Sequence, residues 1–220
     1  MNIILILLSS FKTIYLNFRY LPFKQAVKLP IWFTYNSKIS IKGKIILQST
    51  QIHFAMIRIG FHKVPICNPN DKTILNITNN GVMIFNGTAH IGNGSKIHIF
   101  KNAQLTVGDN FAISASSQIN CYNKIVFGRD IQFSWDCLTM DSDTHSIFDE
   151  NGNLMNKSRE IVVGDKVWIG CRATILKGAI IPSNTVIGAC SLVSGRNYES
   201  NSIIVGNPAK LIKKISKWEL

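Results

Sequence analysis

Six aliphatic residues, Val163, Ile169, Ile175, Ile181, Ile187 and Val193, recur at every sixth position through VGDKVWIGCRATILKGAIIPSNTVIGACSLV without a slip. Neither the 3.6-residue period of a helix nor the alternation of an ordinary strand produces that spacing. A short strand and a turn do, with one aliphatic pointing inward per step and small residues such as Gly164, Gly170, Ala173 and Ala179 where the chain bends closely. Three steps bring the chain back above itself, so Val163 is expected to stack against Ile181, Ile169 against Ile187, and Ile175 against Val193, with coils about 4.8 Å apart. The predicted object is a triangular prism, a parallel β-helix.

The same rhythm runs less cleanly upstream. Val107, Ile113, Ile119 and Ile125 are six apart, Phe127 and Phe133 continue after a two-residue shift, and Ile91 to Ile97 fits another step. Between about 134 and 162 the repeat breaks. There SIFDENGNLMNKSRE, rich in Asn and holding Gly152, reads as a loop over about 146–160 thrown out of the prism. His145 stands where regular structure hands over to this excursion, in TMDSDTHSIF, among Asp141, Asp143 and Asp149. Carboxylates near an imidazole serve proton transfer, metal binding, or nothing beyond a solvated turn, and spacing alone does not choose.

The chain has 24 basic residues against 12 acidic ones, and the excess is concentrated at the start. No Asp or Glu precedes Asp71, whereas Lys12, Arg19, Lys24, Lys28, Lys38, Lys42, Lys44, Arg58 and Lys63 do. Interleaved with Phe11, Tyr15, Phe18, Tyr20, Phe23 and Trp32, these charges suit an anionic membrane surface or a solvated basic face. Nucleic acid is not expected, because no recognisable binding module is present. The apolar run Ile3–Leu8 is too short to span a bilayer and lacks the features of a signal peptide, so residues 1–44 read as a cap or a membrane-surface contact. Pro22 and Pro30 interrupt any continuous helix through this segment. The five cysteines (67, 121, 137, 171, 190) form no CxxC pair and read as buried free thiols, which favours the cytoplasm. Residues 45–209 are assigned to the prism, and 210–220, with Leu211, Ile212, Ile215 and Trp218, to a short C-terminal helix closing it.

From about 90 to 215 the chain resembles the hexapeptide-repeat acyltransferases, through FGRD, SWDCLTMDSDTH, the ladder itself and IIVGNPAKLI in that order. The resemblance is nearest to the acetyltransferases of bacterial surface polysaccharide sugars. It implies an all-β, left-handed parallel β-helix, the hand being taken from the resemblance against the usual right-handed crossover rule. It further implies a homotrimer with sites between subunits, acetyl-CoA as donor with no bound cofactor, a saccharide hydroxyl as acceptor, and His145 as general base. Family donor contacts match Trp168, Gly170, Cys171, Ala189, Ser194 and Lys210. Cys190 and Gly195-Arg196 depart from the pattern, with Arg196 standing in for the missing lysine.

Asp143 is the favoured partner of His145, with Asp141 and Asn120 as candidate contacts to the acceptor. Trp168 also suits a packing residue at the prism edge, and asparagine suits a β-helix turn whatever its function. Direct attack is preferred to a covalent relay through Cys137 or Cys171, since neither has a base of its own. His90, His98 and His145 lack the close spacing of a zinc site, so no metal is expected. Two alternatives remain: a catalytically silent prism serving binding or assembly, and N-acyl transfer to an amino sugar.

Overall fold

The computed structural model describes residues 3–61, 64–65, 68, 70–195 and 198–219; Lys63, Cys67 and Arg196 lie outside them. Among the described residues, strands from Ile31 to Val193 pass in rotation to three faces, and the chain then returns to the first for Ser202–Gly206 and Ala209–Lys214. The faces have nine, seven and six strands, and every neighbouring pair is parallel except the last. This is the left-handed parallel β-helix.

The ladder stacks as its spacing predicts: Val163 faces Ile181, Ile169 faces Ile187, and Ile175 faces Val193. Upstream coils are longer. Val107 pairs with Phe127, Ile113 with both Phe133 and Ile91, and Ile97 with Ile119. The additional residues sit at corners, leaving the inward phase intact. Inside, Phe111, Phe127 and Phe133 pack with ring centroids 5.3–5.8 Å apart, all fully buried. Burial of each such ring contributes about 1.5–3 kcal/mol relative to exposure.

The corners explain the polar residues of the repeat. Asn110, Asp130, Lys166 and Asn184 all have φ between 54° and 58°, a left-handed conformation that Asn and Asp tolerate better than most residues. Each of the last three donates its N–H to a carbonyl one coil below: Asp130 to Asp109, Lys166 to Arg129, and Asn184 to Asp165.

Three boundaries differ from expectation. The prism begins at Ile31 rather than at 45, and Ile31, Phe33, Ile41 and Ile45 already point into it. Its first coils escaped the periodic reading because Ile31 pairs with Ile57, and Ile57 with Ala89, across long insertions. The repeat also continues to Met140, since Ile131–Trp135 and Leu138–Met140 are paired on both sides, so the excursion occupies 141–160. Finally, no helix among the described residues closes the C-terminal end. Ala209–Lys214 folds back as an antiparallel strand on Ser202–Gly206. An open final coil leaves a row of unpaired backbone groups, and the returning strand satisfies them with its own backbone.

At the other end, helix α1 (Ile3–Tyr20) and the short α2 (Phe23–Ala26) precede the first strand. No helix among the described residues is long and apolar enough to cross a membrane.

Candidate active site

The excursion leaves the prism at the corner between the second and third faces, after Leu138–Met140, and returns at Ile161. Its turn is sharp. Thr144 has φ 65°, costly for a β-branched residue, and its N–H donates to Ser142 Oγ at 3.2 Å. His145 follows, exposed, with its backbone N–H donating to Asp143 O at 2.8 Å. Beyond it the arm is a small hairpin, bridged at Phe148 and Leu154 and tipped by Gly152 at φ 79°. Asp149 accepts the N–H groups of Asn151 and Asn153 across that tip.

Asn156 clips the base of the arm. Its Nδ2 donates to His145 O at 2.7 Å and to Asp143 Oδ2 at 2.9 Å, while its Oδ1 accepts the N–H of Ile147 at 2.7 Å. Lys177, one coil on and largely buried, donates to the same Asp143 oxygen at 2.5 Å and to Asn156 O at 3.0 Å. The hydrogen bond from Lys177, with Asn156 second, holds the Asp143 carboxyl below its ordinary range. The Asp143 carboxylate is therefore committed to Lys177 and Asn156 and makes no hydrogen bond to the imidazole. The ring's partner is instead Thr144 Oγ1, 3.0 Å from Nδ1. The Lys177 ammonium makes the charge-assisted, stronger hydrogen bond to this carboxylate.

Asp141 is also reassigned. It is completely buried, with Oδ1 accepting the N–H of Tyr122 at 2.7 Å and Oδ2 those of Asn123 and Lys124 at 2.8 and 2.7 Å. It pins the corner beneath the arm and has no surface to offer a sugar. Asn120 does face outward on the second face, one coil below Met140. Beside it at the corner, Phe100 and Tyr122 stack with centroids 3.7 Å apart.

The remaining expected contacts are dispersed over one protomer. Trp168 stands half-exposed on the first face, its Nε1 donating to Ser134 Oγ at 3.3 Å and its ring 6.3 Å from that of Trp218. Gly170, Cys171 and Ala189 lie at the corner between the first and second faces. There Gly170 is required by packing: a Cβ on it would lie 2.7 Å from the nitrogen of Ala189 on the next coil. Lys210 is exposed and pairs with Val205, which covers Gly188 at this same corner. Of the expected donor contacts among the described residues, Ser194 alone shares the corner of His145, one coil above Lys177, where Arg159 fills the space over Gly178 and Gly195. The corner of His145 is opposite the first face, so His145 and Trp168 do not meet within one chain.

The four described cysteines are free thiols, but only Cys121 and Cys137 are buried. Burial pushes the Cys137 thiol up to about 11 and the Cys121 thiol higher still, so neither is a ready nucleophile. Cys137 Sγ donates to Gly170 O at 3.2 Å. His90, His98 and His145 fall on the first face, the second face and the excursion respectively, and no metal-like cluster occurs among the described residues.

No family model matches the chain. WbbJ of Escherichia coli K12, provisionally named a lipopolysaccharide biosynthesis O-acetyl transferase, is 28% identical over 157 residues, 65% of this chain and 79% of its own. A polysialic acid O-acetyltransferase from Escherichia coli O1:K1 is 32% identical over 126 residues, 57% of this chain but 38% of that protein. The crystal structure of the polySia-specific acetyltransferase NeuO superposes with a TM-score of 0.57 at 23% identity, covering 87% of this chain and 89% of that one, which supports the fold. The chain is thus similar in sequence to named O-acetyltransferases, and its prism is the fold of the NeuO acetyltransferase.

Proposed function

We propose that the protein transfers an acetyl group from acetyl-CoA to a sugar hydroxyl of a surface polysaccharide or its precursor, with His145 as general base, in a site shared by neighbouring subunits of a trimer. The observation that carries this reading is the opposition of His145 and the first face. Groups that an acyl-transfer site needs together are set on opposite sides of one prism, and a closed ring of copies brings one side against the other. The arm supports it: Phe148 and Met155 expose 59% and 67% of their surface, an apolar face suited to a neighbouring copy. The names of the relatives support the acceptor class. Acyl-CoA donors assign the reaction to the cytoplasm.

The chemistry follows from the ring's hydrogen bond. In the tautomer whose Nδ1–H donates to Thr144 Oγ1, 3.0 Å away, Nε2 keeps its lone pair and takes the acceptor's proton as the sugar oxygen attacks the thioester carbon. The C–O bond forms, the C–S bond breaks, and the coenzyme thiolate leaves with the proton returned by His145. Gly170 N–H is spent on Ile187 O at 2.8 Å, so the backbone donor for the tetrahedral oxyanion is the N–H of Cys171 beside it. The test is thiol release from acetyl-CoA with candidate sugars, the products identified by mass. His145→Ala is expected to lose about 10²–10⁴-fold in kcat; undiminished turnover would remove His145 from the mechanism.

A further inference from the structure

Helix α1 turns three polar residues inward beside Leu16 and a stripe of apolar residues outward. Ser9, Thr13 and Asn17 are buried, while Leu7, Leu8, Phe11, Tyr15 and Phe18 are exposed, Phe11 to 72%. The inward residues replace a missing strand. Ser9 Oγ accepts the N–H of Tyr35 at 3.0 Å, and Thr13 Oγ1 accepts that of Phe33 at 3.0 Å. Asn17 takes both backbone groups of Ile31, accepting its N–H at 3.2 Å and donating to its carbonyl at 2.7 Å. Four helical residues rise about 6.0 Å and two strand residues about 6.6 Å, so a polar residue every fourth position matches every second residue of the edge. Lys12 adds bonds to the carbonyls of Tyr35 and Ser37.

The helix thus closes the open end of the prism by hydrogen bonding, and its apolar stripe remains unused. Phe23, 73% exposed, packs edge-on against Phe18 and extends the stripe into α2. Arg19, Lys24 and Lys28 are exposed around it, and no acidic residue occurs before Asp71. We infer that this end of the prism docks on an anionic lipid surface, with Leu7, Phe11, Tyr15 and Phe18 entering the interface and Arg19, Lys24 and Lys28 meeting the headgroups. An apolar stripe bordered by cations alone is complementary to such a surface. A second copy is the poorer occupant, because its own Arg19, Lys24 and Lys28 would face these. The inference does not depend on the acyl-transfer chemistry. In a trimer of side-by-side prisms the three helices would face one way and bind together.

The full chain is to be sedimented with vesicles of phosphatidylglycerol and phosphatidylcholine, and with phosphatidylcholine alone. The wild type is expected to bind the anionic vesicles, releasing them as salt rises, and to leave the neutral ones. A Leu7→Ser, Phe11→Ser, Phe18→Ser variant is expected to bind at least about tenfold more weakly, with unchanged thermal unfolding and unchanged thiol release on soluble substrates. Wild-type protein that stays in the supernatant, or a variant that binds equally, would overturn the inference. So would equal binding to neutral vesicles, or a particle that halves in mass on substitution and never binds lipid, which identifies a second copy as the occupant.

Discussion

Lys177 Nζ lies 2.5 Å from Asp143 Oδ2, joining two residues 34 positions apart and tying the arm that carries His145 to the next coil. The pair depresses the Asp143 pKa, so its contribution is present above the ordinary carboxylate range and is lost as pH falls through the lowered value. Asp143 is well exposed, and solvent screening limits such a pair to roughly 0.5–1 kcal/mol. Lys177→Met and Asp143→Asn are therefore expected to speed amide exchange across the arm about twofold to fivefold at neutral pH. In acid the wild type should approach Asp143→Asn; exchange rates that stay apart would show that the pair does not hold the arm.

Thr144 is expected to set the ring's tautomer. Removing its hydroxyl in Thr144→Val lets both ring nitrogens share the proton and frees the ring to turn, with a fall in kcat of about tenfold. Thr144→Ser keeps the hydroxyl and should keep most of the rate. Equal loss in both variants would mean that the backbone at φ 65°, and not the hydroxyl, matters.

The prism was legible wherever coils lack insertions. Val163 to Val193 carry one aliphatic per step, and all three expected stackings form. Ile31 and Ile57 were hidden because long loops separate them, so no fixed period survives in the sequence. The tail misled because Leu211, Ile212 and Ile215 fit a helix, while the partner that makes it a strand, Ser202–Gly206, is a tertiary fact. His145 drew attention because it stands near the break in the repeat, and its role as base is what the family resemblance implies. Thr144, Asn156 and Lys177 could not be found, since their roles arise from a turn and from contacts across coils. Asp141 had a signal that went unused. Cys137 and Thr139 point inward, and alternation along the strand turns Asp141 the same way.

A shared site predicts complementation. His145→Ala and Trp168→Ala, each inactive alone, are expected to recover about a quarter of wild-type activity when coexpressed at equal levels. Random assembly in a ring pairs an intact histidine with an intact neighbouring tryptophan at that frequency. Recovery at background level, with mixed trimers verified by mass, would mean that both residues serve one chain.

Asp141 tests structure against chemistry at the same corner. Its carboxylate satisfies three N–H groups, of Tyr122, Asn123 and Lys124, with no exposed surface. Asp141→Asn keeps one oxygen but turns an amide NH₂ toward those donors, leaving at least one buried N–H without an acceptor. A hydrogen bond to a buried charge contributes about 1.5–3 kcal/mol, so a loss near 3 kcal/mol is expected. For a chain of this size that is a fall of roughly 6–12 °C in Tm. Because the side chain reaches no substrate, kcat measured well below the transition should stay within about threefold of wild type. An unchanged Tm with kcat lost would reverse the assignment and return Asp141 to the reacting groups.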